Sequence, residues 1–464
     1  MDNAITARLA NEKIPKLLYH YAVPAVIGTL VNALYNIVDR IYIGQGVGAM
    51  ALSGLALTFP ILLFLQAFGM LVGAGSSARI SIHLGKREVD KAENVLGNAL
   101  MLTLILTSFS VIVSLSFLKE LLIWFGGSEQ TIPYAMDYLY ITIPGNLLAT
   151  FSFGYNAIMR ASGYPRKAMV TMLIGAILNV VLDPIFIFGF DMGIRGAAIA
   201  TVISMAASAL FVLNHFLQKD SIVRFHRKYF KLKLPIVLAI VSIGMSPFAM
   251  QLAGSMVNVL MINALKTHGG DYAVGANGII TSFALLLMMF ILGLSQGMQP
   301  IVGFNYGAGN MDRVMKTLRL VILIATAVTG IGFIGSWFFP HLIVRAFTND
   351  PLMLSISSNA LRLSLMAFLV VGSQVVIAQF FQSIGMAWIS MVQSISRQCL
   401  FLIPALLILP DYFGLDGVWL ASPVSDVIAA LTAWLFLFFQ IKKIKRNCTP
   451  ELDFLYQYII NFRL

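Results

Sequence analysis

The sequence predicts an all-α membrane protein, with twelve transmembrane helices in two pseudo-symmetric six-helix bundles. Three observations predict it. Hydrophobic residues make up 59% of the chain and charged ones only 11%, with a mean hydropathy of +0.86, which no soluble globular domain of this size shows. Apolar runs of about 20 residues recur along the chain, each long enough to cross a bilayer as a helix. The second half of the chain repeats the landmarks of the first at a nearly fixed distance.

The runs fall near 16–43, 51–79, 94–118, 132–157, 165–189, 194–218, 234–265, 272–301, 317–341, 352–380, 387–409 and 415–441. Glycine marks several turns between them, as at Gly44-Gln45-Gly46 and Gly126-Gly127. The N-terminus shows no short apolar core followed by a small-residue cleavage site, so no removable signal peptide is expected. Cys399 and Cys448 give no disulfide framework and no metal spacing.

Charge sets the expected orientation. Lys and Arg crowd alternate connections: Arg8, Lys13 and Lys16; Lys86, Arg87 and Lys91; Arg160, Arg166 and Lys167; six residues from Lys219 to Lys233; Arg313 to Arg319; and the tail from Lys442. The other connections hold only Lys119, Arg195, Lys266 and Arg345. The positive-inside rule then puts both termini in the cytoplasm of a multi-pass plasma-membrane protein, expected to be bacterial. The net charge of +11 is a topology signal on this reading, and no nucleic acid is expected.

Gly75 and Gly85 recur as Gly297 and Gly307, Gly163 as Gly385 and Asn36 as Asn258, each 222 positions on. Gly193 and Gly196 recur 221 positions on, as Gly414 and Gly417. Six spans per half give both halves one orientation, as in parallel-repeat transporters. The expected organisation is a lobe over 1–218, a basic cytoplasmic linker over 219–233, a second lobe over 234–441 and a cytoplasmic tail over 442–464.

Carboxylates at bilayer depth are costly and mark ion, proton or substrate paths. Two lie in the first half. Asn32, Tyr35, Asn36, Asp39 and Tyr42 share one helix face, and Asn179 and Asp183 stand four apart on another. Asn156 and Thr201 are candidates to complete a polar pocket. Two carboxylates facing one dry pocket cannot both ionise freely, so a proton, Na⁺ or organic cation can each neutralise the pair and they compete. Such competition at a site open to each side in turn gives antiport. Pro24, upstream, frees a carbonyl and is a candidate gate. The second half has Met261 where Asp39 stands. Met256, Met261, Met288, Asn258 and Gln299 are its candidate cavity residues. Arg397 and Asp426 read as a structural ion pair. No P-loop or HExxH framework occurs, so the chain is not expected to be an enzyme. The expected cofactors are none, beyond H⁺ or Na⁺ as coupling ion, with Na⁺ at Asp39, Asn179 and Asp183.

The run Gln299-Pro300-Ile301-Val302-Gly303-Phe304-Asn305-Tyr306-Gly307-Ala308-Gly309 resembles the signature ending the eighth helix of the multidrug and toxic compound extrusion family. Pro24 with Asp39, Asn179-x-x-x-Asp183-Pro184 and Gly193-Ile194-Arg195-Gly196-Ala197-Ala198 resemble it too, and the resemblance spans Ile14 to Lys443. It implies two six-helix lobes around a V-shaped cavity; the chain is expected to be a monomer among membrane lipids. It also implies export of lipophilic cationic drugs against H⁺ or Na⁺. Family cation-site roles fall on Asp39, Asn179, Asp183, Asn156 and Thr201. The alternative is a lipid-linked oligosaccharide flippase, which needs more cavity cations than Arg40, Arg362 and Arg397.

Overall fold

The computed structural model describes residues 4–447, except the side chains of residues 4, 36, 49, 50, 52 and 442–447. The tail beyond 447, with Cys448 and Arg463, lies outside the described residues. A short helix α1 (Ala4–Asn11) precedes α2 (Ile14–Gly46), α3 (Ala49–Gly85), α4 (Val89–Ser116), α5 (Leu118–Trp124), α6 (Ile132–Ala161), α7 (Pro165–Pro184) and α8 (Gly193–Leu217). The second lobe holds α9 (Leu234–Gly307), α10 (Met311–Phe338), α11 (Pro340–Arg345), α12 (Pro351–Ser364), α13 (Phe368–Ser383), α14 (Ala387–Ile395) and α15 (Ile403–Asn447).

Each of the twelve apolar runs lies on helix. Eight described helices are long and apolar enough to cross a membrane, or nine when α12 and α13, bent by 50°, count as one span. Two of these are double. The 74-residue α9 breaks at Gly270 (φ 65°, ψ −161°), and α15 breaks at Gly414 (φ 57°, ψ −133°). The remaining run is the 30-residue α6. Two π-helical turns interrupt the pattern, at Ile185–Gly189 directly after Asp183-Pro184 and at Ser396–Leu402. Such turns often mark functional sites.

The duplication is visible in backbone conformation. Gly48 and Gly270 have φ of 106° and 65°, Gly163 and Gly385 97° and 78°, and Gly193 and Gly414 57° each. Arg87 (φ 61°) stands 222 positions before Gly309 (φ 75°). Both halves therefore turn at the same places through the left-handed region, which glycine adopts at least cost.

The lobes meet at the end that carries the basic connections. Glycine removes the Cβ where two backbones must touch. A Cβ on Gly85 would strike the carbonyl of Phe304, and one on Gly307 that of Ile82. Ile82 and Phe304 are themselves 222 apart, so this contact is reciprocal. Gln299 Nε2 donates to Ser77 Oγ at 2.8 Å across 222 positions. Ser81 likewise packs on Gly303. A residue can touch its own repeat mate only on the symmetry axis, so the axis runs between α3 and the second half of α9. The seam continues through Ala22 against Gly297, Val26 against Gly293 and Phe68 against Phe248, the two rings 5.3 Å apart. Small residues permit this close approach, which drives helix association where lipid leaves no hydrophobic effect between helices.

Candidate functional site

The two carboxylates come together. α2 carries Asp39 and α7 carries Asp183, and the two helices pack along each other. Asp39 is 9% exposed and Asp183 0%. The two carboxyl groups act directly on each other. Asn179 Nδ2 donates to Asp183 Oδ1 at 3.2 Å and to Thr201 Oγ1 of α8 at 3.3 Å. No protein donor reaches Asp39 Oδ1, Asp183 Oδ2 or Asn179 Oδ1, all fully buried. Buried acceptors are normally satisfied. Three orphaned acceptors in one cluster define a hole for something that donates or is positively charged.

Tyr138 of α6 joins the cluster, which spacing along the sequence did not reveal. It is 4% exposed and lies beside Thr201, in the field of Asp39, Tyr35 and Asp183. Tyr35 therefore sits beside the site. Asn36 is on the same helix, its side chain outside those described.

Asn156 is placed elsewhere, correcting its grouping with the acids. It is 18 positions beyond Tyr138 on α6, about 27 Å along a helix axis at 1.5 Å per residue. There its Nδ2 donates to Ala168 O at 2.5 Å and its Oδ1 accepts from Arg160. Gln299, expected in the cavity, is 5% exposed and bound to Ser77 in the seam. Met261 and Met288 are half-buried against the second lobe's core, whereas Met256 is 58% exposed. Asn258 is exposed on α9. Pro24 is buried inside a continuous α2, between Ala22 and Val26, which touch Gly297 and Gly293.

The second lobe builds no comparable pair. Asp426 accepts from Arg397 Nε at 2.7 Å, an ion pair within the lobe. Among the described residues no three His, Cys, Asp or Glu side chains come together.

A family model described as MatE matches residues 24–185 and again 245–407, one copy per lobe. The multidrug export protein MepA of Staphylococcus haemolyticus is 28% identical over 423 residues, covering 91% of this chain and 93% of that protein. A crystal structure of a MATE protein in its bent conformation superposes with a TM-score of 0.90 at 26% identity, covering 96% of this chain and 99% of that one. The outward-facing conformation of a multidrug resistance MATE transporter of the MOP superfamily gives 0.88 at 26%, covering 95% and 98%.

Proposed function

Because the chain belongs to the multidrug and toxic compound extrusion family, we propose that it is a secondary active antiporter. On this reading it exports lipophilic cations in exchange for H⁺ or Na⁺, coupled through Asp39 and Asp183. The observation that carries the reading is the set of three buried acceptors without a donor, Asp39 Oδ1, Asp183 Oδ2 and Asn179 Oδ1. A proton satisfies the carboxyl pair directly. Na⁺, a hard cation, takes carboxylate, amide and hydroxyl oxygens of the kind Asp39, Asp183, Asn179 and Thr201 offer.

The mechanism follows from charge balance. Among the described residues no cation is ion-paired with Asp39 or Asp183, although Arg40 lies in the field of Asp39; the drug and the coupling ion can each supply the balancing positive charge. Asn179 and Thr201 fix Asp183, so exchange costs little reorganisation. Alternation requires the lobes to part at the basic end after closing at the other. We place that end in the cytoplasm of a plasma membrane, from the lysine and arginine bias. A flippase reading is weaker, because Arg397 is taken by Asp426 and Arg362 Nε by Trp337 O at 3.1 Å.

Proteoliposomes loaded with a fluorescent cation test the proposal. Efflux should rise with an imposed inward pH or Na⁺ gradient, and only one of the two should serve. No gradient-dependent efflux with either ion, together with movement of lipid-linked anions, would overturn it.

A further inference from the structure

Helix α1 is continuous with the first lobe through Lys13, yet the other lobe holds its end. Ile5 packs on Gly163 at the end of α6. Leu9 is 1% exposed in a core cluster drawn from both lobes. The last carbonyls of any helix have no intrahelical partner and favour a cation. Here Arg313 of α10 meets them. Its Nη2 donates to Leu9 O at 3.1 Å and to Glu12 O at 2.7 Å. Asn305, 0% exposed, donates to Leu9 O at 3.2 Å and to Ile301 O at 2.8 Å, while its Oδ1 accepts from Arg313 Nε at 3.0 Å. A planar guanidinium suits this fork of acceptors better than an ammonium. Asn305 belongs to the Gln299–Gly309 run, and the seam glycine Gly307 lies two residues on.

We propose that Arg313 and Asn305 are positioning residues for transport: they clasp the C-terminal carbonyls of α1 across the two lobes and hold the seam closed at the basic end. The lobes cannot separate there without a break. Either α1 leaves Arg313, or it follows the second lobe and Ile5 leaves Gly163. The clasp thus sets the balance between the state closed at this end and the state open there. The inference rests on the antiport reading, which requires that opening.

Double electron–electron resonance tests it on the full chain, with Cys399 and Cys448 replaced and labels at Lys86→Cys and Arg319→Cys. Both positions are exposed, one in each lobe. Arg313→Met should raise the open-to-closed ratio roughly tenfold, the scale of one charge-assisted hydrogen bond. Arg313→Lys keeps the charge but not the fork and should shift it about threefold. Lys316→Met, exposed on the same helix, should leave the distances unchanged. A native distance distribution in Arg313→Met overturns the clasp; if that variant does not fold, a native distribution in Arg313→Lys does so. The measurement needs no ion gradient, so its failure is separable from failure of gradient-driven efflux.

Discussion

Replacing Asp183 with Asn removes a charge and leaves the hydrogen-bond frame. The side chain is fully buried, so solvent screening is small. Asn can keep the acceptor that takes Asn179 Nδ2 at 3.2 Å. Its new amide N–H replaces Asp183 Oδ2, which no protein donor reaches, and can donate to Asp39. Stability should stay within about 1 kcal/mol of wild type, because no buried partner is newly orphaned. The coupling ion fares differently. A cation 4 Å from a unit charge gains about 4 kcal/mol at an effective dielectric constant of about 20. Losing one carboxylate of two therefore weakens ion affinity by up to about a thousandfold. Efflux from proteoliposomes under an imposed gradient should collapse, while exchange of dye without a gradient persists. Asp39→Asn should do the same, and the double variant should cost little more, because the two act as one unit. Gradient-driven efflux at the wild-type rate in both single variants would refute the reasoning.

Tyr138→Phe removes a hydroxyl beside Thr201; at about 1 kcal/mol for one polar contact, the apparent ion affinity should fall about fivefold while efflux continues, read from its ion dependence. Pro24→Ala restores a backbone N–H within α2. If bending there gates the site, turnover at equal expression should drop although no ligand is removed, and wild-type turnover would reject the gate. Gly385→Ala places a Cβ at φ 78° and should cost about 1–2 kcal/mol in unfolding measurements. At the basic end, Lys91 and then His83 hold the exposed Glu88 carboxyl down to about 2, from an ordinary 4.5. Their contribution is present above 4.5 and lost as pH falls towards 2, so Glu88→Gln should lower thermal stability at about pH 6, with the difference vanishing at low pH.

The features legible in the sequence have local or periodic causes. The spans follow from bilayer thickness. The duplication shows because turn glycines such as Gly163 and Gly385 need the same left-handed backbone in each half. Asp39 and Asp183 show because a carboxylate is rare at that depth. The residues that escaped depend on depth along different helices. Tyr138 is 45 positions before Asp183, and a tyrosine in an apolar run carries no local signal. Asn156 looked equivalent by composition, yet α6 runs towards the basic end and carries it five turns away from the acids. Counting residues from each helix end would have separated the two. Gln299 escaped for another reason: a glutamine in an apolar helix suits a cavity and a lobe seam equally. Its 222-residue distance from Ser77 was the available clue.

The scaffold is duplicated and its chemistry is not. Arg397 stands 222 positions after Gly175, and Asp426, in the 221-residue register of the last span, stands after Met205. Neither matching position of the first lobe is charged, so this ion pair belongs to the second lobe alone. The consequence is electrostatic. Asp426 already has a cation bonded to it at 2.7 Å on the same chain. A tethered cation cannot be released to either side, so it cannot carry a gradient. Asp39 and Asp183 have each other, an asparagine and hydroxyls, with no tethered cation among these partners. Arg40 acts on Asp39 without an ion pair, which leaves the pair open to a cation that arrives and leaves. On the proposed reading, coupling lies in the first lobe because its carboxyl pair, unlike Asp426, has no ion-paired cation among the described residues.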